Sequence, residues 1–189
     1  MAVLNITRDN ALELLKTHIK NENMIKHSLA SEAVMRALAK KLGEDENLWA
    51  MAGLLHDLDS ELVNADMKTH GLKTAEILRE KKLPQELIEA VKMHNEYATE
   101  KPRTDKFHKA LAASETVTGL IIATTLVYPD KKIAGVKVKS VVKRMKEKNF
   151  AASVDRNIIR ECEDIGIPLA EFVELALNAM RGISDDLGL

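Results

Sequence analysis

The segment Gly53-Leu54-Leu55-His56-Asp57 places a histidine and an aspartate directly after a stretch that is apolar on every side. The residues from Leu48 to Leu55 are apolar all round, which is typical of a helix that is fully buried. A charged group at the end of such a helix is costly unless something compensates it. A bound metal cation would do so, because neutral imidazole and carboxylate are both ordinary ligands. The alternative is a helix cap beside a hydrogen-bonded histidine.

Apolar residues recur at helical spacing along most of the chain, and no segment alternates apolar with polar residues as a strand would. This pattern predicts an all-α fold. The predicted helices cover residues 5–20, 23–42, 47–57, 72–78, 84–94, 105–127, 154–164 and 169–180, with a tail over 182–189.

The chain length of 189 residues suits one domain with a substantial core and is short for two, so we expect a single domain over residues 1–189. The net charge of -1 gives no overall attraction to nucleic acid or to an anionic membrane. The longest uncharged stretch, residues 116–129, is too short to span a bilayer. A single cysteine, Cys162, and an N-terminus that runs into polar sequence favour a reducing cytoplasm.

Four histidines and one aspartate form a set with metal-binding character. Each lies on or at the end of a different predicted helix, apart from the adjacent His-Asp pair. If they converge, they form a nitrogen-rich shell with one carboxylate, which suits iron, manganese, cobalt, nickel or zinc. The set consists of His27, His56, Asp57, His70 and His94.

The order of these residues resembles that of the HD-domain metal-dependent phosphohydrolases. The resemblance covers residues 25–123 and rests on His27, His56-Asp57, Thr69-His70-Gly71 and Val91-Lys92-Met93-His94. A later part, from Ala112-Ala113-Ser114-Glu115 through Thr118-Gly119-Leu120 to Asp155-Arg156, is similar to a small bacterial subgroup of predicted HD hydrolases. The resemblance implies an HD-type helical bundle with its metal site within 25–123 and a C-terminal helical extension over 131–189.

The resemblance also implies roles for these residues. His27, His56 and Asp57 would hold a first ion, and Asp57 would bridge to a second ion held by His70 and His94. The last ligand of the family is an aspartate, and Ser114, a weak ligand, stands at that position. Three alternatives follow: water or Glu115 replaces the ligand, the ion binds more weakly, or the site is vestigial. Glu115 lies about 100° further round the helix, so its side chain would have to reach back.

The chemistry expected of such a site is hydrolysis of a phosphoester. A divalent ion lowers the pKa of bound water toward neutrality, and the resulting metal-bound hydroxide can attack a phosphoryl centre. We therefore predict a metal-dependent phosphohydrolase, acting on a nucleotide or another small phosphorylated substrate, with one or two ions. The predicted catalytic residues are Asp57, Asp59 and Glu115, the last two as proton acceptors. The predicted substrate-binding residues are Lys139, Lys143, Arg144 and Arg156.

Two other functions are compatible with parts of the sequence. The first is a catalytically impaired HD module that binds a nucleotide or a partner protein, since Ser114 removes a ligand. The second is a nucleic-acid binder built on Lys137–Lys148, which is the weaker interpretation because this segment has no interleaved aromatic residues to stack on bases. The sequence leaves open whether residues 131–189 cover the metal pocket or form a subunit contact, as in a homodimer.

Overall fold

Helices α2 (Glu22–Leu42) and α3 (Glu46–Leu55) pack against each other and form the centre of the fold. The computed structural model describes residues 4–64 and 66–189, so the N-terminal residues 1–3 that entered the prediction of cellular location lie outside the described part. Gly53 makes the helix contact close, because a Cβ atom there would lie 2.6 Å from the carbonyl oxygen of Ser31. Every residue from Leu48 to Leu55 is buried, as the uniformly apolar sequence predicts.

The described residues contain eleven α-helices, one short 3-10 helix and no strand, which confirms the all-α class. The remaining elements are α1 (Arg8–His18), α4 (Leu72–Glu80), α5 (Gln85–Met93), α6 (Glu96–Thr99), α7 (Lys106–Leu126), the 3-10 helix Ile133–Gly135, α8 (Val138–Arg144), α9 (Arg156–Asp164), α10 (Leu169–Arg181) and α11 (Ser184–Leu187).

Local capping explains where several helices begin. The side chains of Thr7, Asn21, Asp45 and Asp105 each accept a hydrogen bond from a backbone N–H in the first turn of the helix that follows. Such caps satisfy donors that have no partner within the helix.

The C-terminal residues differ from the predicted tail over 182–189. They include the short helix α11, which contacts α2, and Leu187 is buried there. The prediction missed this element because four residues are too few to establish an apolar period, whereas burial of one leucine is enough to hold the turn in place.

The C-terminal helices pack on the same core as the rest of the chain. Helix α9 contacts α7, helix α10 contacts α2, and one hydrophobic cluster includes residues from Ala11 to Leu187. A single domain over residues 1–189 stays a prediction. Among the described residues, no helix combines the length and the apolar character needed to cross a bilayer.

Candidate metal centre

His56 and Asp57 directly follow α3, and both are buried. Nδ1 of His56 donates a hydrogen bond of 2.8 Å to the carbonyl oxygen of Gly53, one turn earlier. Because a carbonyl can only accept, this bond places the ring proton on Nδ1 and leaves Nε2 with a free lone pair. The carbonyl group of Gly53 therefore helps to fix the orientation of this imidazole.

A first group of donor atoms lies between α2 and the end of α3. Nε2 of His27 is 3.1 Å from Nε2 of His56 and 3.6 Å from Oδ2 of Asp57. Nε2 of His56 is 3.3 Å from Oδ1 of Asp57. Donors that bind one ion at about 2.0–2.2 Å lie roughly 2.8–3.6 Å from one another. The three side chains therefore fit a single ion.

A second group shares Asp57 with the first. Oδ1 of Asp57 is 3.1 Å from Nε2 of His70 and 3.6 Å from Nε2 of His94, and the two imidazole nitrogens are 3.1 Å apart. These separations also suit one ion. Asp57 thus lies where one carboxylate could bridge two ions.

The protonation of the imidazoles provides a further test of whether ions fit. Nδ1 of His94 donates to the carbonyl oxygen of Val91. Nδ1 of His27 lies 3.0 Å from the hydroxyl of Thr118, which itself donates to the carbonyl oxygen of Glu115 and so accepts from the histidine.

His27 and His56 therefore present two Nε2 lone pairs to each other at 3.1 Å. Two acceptors at this distance repel one another unless a proton or a cation lies between them. The donor set fits a cation on this ground, independently of any similarity to other proteins.

Asp59 lies behind His70. Its Oδ1 accepts a hydrogen bond of 2.7 Å from Nδ1 of His70, and its Oδ2 accepts bonds from the backbone N–H groups of Gly71 and Thr74 at 2.8 and 3.0 Å. A carboxylate behind a ligating histidine orients the ring and raises the basicity of its outer nitrogen. Asp59 is fully buried and does not line the cavity, so its position is that of a residue that orients His70 rather than of a proton acceptor.

Charges within the cluster shift several pKa values. Burial opposes the charge on His70, but its hydrogen bonds to Asp57 and Asp59 outweigh burial and raise its pKa to about 10. Burial lowers the pKa of His27 to about 4 and that of His94 to about 3. The pKa of Asp57 lies well below its usual value, because the surrounding histidines outweigh the effect of burial. In the ion-free protein a proton on His70 thus balances part of the buried negative charge.

Helix α7 presents Glu115, not Ser114, to the cluster. Oε2 of Glu115 is 3.8 Å from Nε2 of His27, and the side chain lines the cavity. Burial raises its pKa to about 8, and the nearby Asp57 adds to the effect. Ser114 is fully buried, its hydroxyl has no hydrogen-bond partner among the described residues, and it does not line the cavity.

His27, Asp57, His70 and His94 form part of the wall of a cavity of about 630 Å³, and His56 lies buried behind them. Helix α9 and the residues just before it close one side, through Ser153, Asp155, Asn157 and Glu161. The C-terminal extension therefore covers the pocket, which was one of the two roles that the sequence left open.

Arg103 and Asn95 were not among the predicted site residues, yet both line this cavity. The Arg103 guanidinium donates to both carboxylate oxygens of Glu161 and to the carbonyl oxygens of Met93 and His94. Asn95 directly follows His94, a position that could have marked it. No local pattern distinguishes Arg103, because its partner lies on the distant helix α9.

The predicted phosphate-binding residues do not line the cavity. Lys139 and Lys143 are exposed on α8, and Arg144 lies 4.2 Å from the centre of the Phe150 ring and pairs with Glu147. Arg156 donates to the backbone carbonyls of residues 147, 150, 151 and 154.

The chain matches the model of a known protein family. The family model described as HD domain matches residues 24–125, which is more than half of the chain and includes the four histidines of the cluster, Asp57 and Glu115. No curated protein and no solved structure matches the chain.

Proposed function

The chain belongs to the HD-domain family of the metal-dependent phosphohydrolase superfamily, and we propose that it hydrolyses a small phosphoester by means of two divalent ions. One observation carries the proposal: two groups of donor atoms share Asp57 at the wall of one cavity. His27, His56 and Asp57 would hold the first ion, and Asp57, His70 and His94 the second. The histidine-rich set suits iron, manganese, cobalt, nickel or zinc.

Bound divalent ions supply this chemistry by lowering the pKa of a water molecule and by stabilising phosphoryl oxygens that gain charge. The protein residues hold the donor atoms in place and accept or donate the proton that is transferred in the reaction. Asp59 accepts a hydrogen bond from Nδ1 of His70, so the ring would offer Nε2 to an ion once Nε2 loses its own proton. Glu115 lines the cavity beside His27, where its carboxylate is placed to accept or donate a proton.

The catalytically impaired module is the less favoured alternative. It depended on the lack of an acidic side chain on α7 at position 114, and the carboxylate of the next residue, Glu115, faces His27 instead. In the proposal Glu115 takes the place of the missing ligand or acts on the proton, and Ser114 is a core residue. The buried free thiol of Cys162 is consistent with a cytoplasmic protein.

The test is release of inorganic phosphate from phosphomonoesters by the full chain loaded with Mn²⁺, Fe²⁺, Co²⁺, Ni²⁺ or Zn²⁺. We expect release with at least one ion and its loss in Asp57→Asn, because that variant removes the charge shared by both donor groups. Asp9→Asn, an exposed carboxylate on α1, is the matched control. Equal activity of Asp57→Asn and Asp9→Asn would contradict the proposal, as would inactivity with all five ions.

A further inference from the structure

Two large apolar side chains stand exposed at the mouth of the cavity. Tyr97 is 78% exposed and Met67 is 49% exposed, and both line the cavity that contains the donor groups. Among the described residues only five large hydrophobic side chains are exposed, and two of these line this one cavity. Exposed apolar side chains that line a cavity of ligand size, beside polar groups, are typical of small-molecule binding sites. We call Met67 and Tyr97 the apolar rim.

Asn95 fixes the apolar rim relative to the histidines. Its amide nitrogen donates to the carbonyl oxygens of Met67 and His70, at 2.7 and 2.9 Å. Its amide oxygen accepts from the backbone N–H of Tyr97 at 3.1 Å. Because Asn95 also follows His94 in the chain, one side chain ties both rim residues to the second donor group.

The charge of the cavity wall limits how many phosphates a ligand can carry. Five carboxylates line it, and Arg103 is the one arginine or lysine among the described residues that do so. The guanidinium of Arg103 is already paired with Glu161 at 2.6 Å and lies 3.6 Å from Glu96. Two divalent ions at the donor groups would balance one phosphoryl group, but further phosphates would face carboxylates without a free cation.

We propose that the apolar rim binds a planar ring carried by the leaving group of a phosphate monoester, which makes a nucleoside monophosphate the class of substrate that the cavity fits. This inference rests on the proposed function and specifies its substrate. The phosphate would lie at the donor groups and the ring against Tyr97, whose exposed face can stack on a base. The cavity volume of about 630 Å³ is within the range of small-molecule sites.

The test measures binding and turnover separately, with the full chain loaded with Mn²⁺. Calorimetry compares AMP, ribose 5-phosphate, which lacks the base, and ATP, which adds two phosphates. We expect AMP to bind roughly tenfold or more tightly than ribose 5-phosphate, the size of one stacked base, and more tightly than ATP. Tyr97→Ala should remove the preference for AMP over ribose 5-phosphate, and Tyr97→Phe should retain it.

Leu126→Ala, which truncates an exposed leucine outside the cavity, is the control and should leave all three affinities unchanged. Equal affinity for AMP and ribose 5-phosphate, or an unchanged ratio in Tyr97→Ala, would overturn the inference, and so would tighter binding of ATP than of AMP. Each of these outcomes is independent of turnover. Selective binding of AMP without phosphate release would support the role of the apolar rim in binding and would contradict the proposed hydrolase activity.

Discussion

Replacing Asp59 with asparagine tests how the second donor group is held. The carboxylate accepts three buried hydrogen bonds, from His70 Nδ1 and from the N–H groups of Gly71 and Thr74. An amide has one accepting oxygen and one donating nitrogen, so it cannot satisfy all three. If the nitrogen faced Gly71 and Thr74, two buried N–H groups would lose their acceptor, at about 1–3 kcal/mol each.

The less costly orientation of the amide in the Asp59→Asn variant turns its nitrogen toward His70. The ring must then accept at Nδ1, which moves its proton to Nε2, the atom that faces Asp57 and His94. A protonated Nε2 cannot bind an ion. Loss of such an orienting partner typically weakens metal affinity about 10–100-fold, or about 1.4–2.7 kcal/mol.

Calorimetric titration with Mn²⁺ is the assay for Asp59→Asn. We expect the wild type to bind two ions, and the variant to bind one with unchanged affinity at His27, His56 and Asp57 and one with affinity reduced about 10–100-fold. The control Asp9→Asn should match the wild type, because this exposed residue lies on α1. Two unchanged affinities in Asp59→Asn would refute the reasoning.

Three further predictions follow from the same geometry. Gly53→Ala should lower the free energy of unfolding by about 1–3 kcal/mol, because the added Cβ would lie 2.6 Å from the carbonyl oxygen of Ser31. Chemical denaturation measures this change, and an unchanged denaturation midpoint would contradict the close contact between the helices. Ser114→Asp should destabilise the protein by about 3–5 kcal/mol, because the variant buries a charge without a partner. It should not increase the metal content. A gain of metal in elemental analysis would show instead that residue 114 can act as a metal ligand. Ion binding at pH 7 should release between one and two protons. Nε2 of His70, whose pKa is raised to about 10, must deprotonate, and Glu115, whose pKa is raised to about 8, ionises beside a bound cation. Calorimetry in two buffers of different ionisation enthalpy measures this release, and the absence of any proton release would contradict the charge assignment.

The stability of the ion-free protein should fall both as the pH rises above about 6.5 and as it falls below it. His70, with its pKa raised from 6.5 to about 10, contributes stability that is fully present below about pH 6.5 and lost as the pH rises toward 10. His27, with its pKa lowered to about 4, contributes stability that is present above pH 6.5 and lost as the pH falls toward 4. Chemical denaturation across this pH range, without metal, should give a maximum in the free energy of unfolding near pH 6.5.

Local signals in the sequence accounted for much of the fold. The prediction that residues 105–127 form a helix agrees with α7 because Asp105 caps it and the apolar spacing continues to Leu126. The residues from Leu48 to Leu55 are uniformly apolar, and this indicated that α3 is buried. By contrast, α6 and α11 contain only four residues each, too few for a period to be visible.

The site required information that local patterns do not carry. The set of four histidines and Asp57 was recognisable together, and the structure brings it into one cluster, of which all members except His56 line the cavity. The roles of Asp59 and Arg103 depend on partners 11 and 58 residues away in sequence, respectively His70 and Glu161. Which side chain of α7 faces the cluster depends on the rotation of that helix, which spacing alone did not determine for Ser114 and Glu115.

The most direct measurement of the central claim is the metal content of the full chain, purified without chelators and without a nickel affinity step. Elemental analysis should find up to two equivalents of transition metal, or uptake of two equivalents of Mn²⁺ or Fe²⁺ on reconstitution, and a reduced content in His56→Ala. A folded wild-type protein that contains no metal and takes up neither ion would contradict the account.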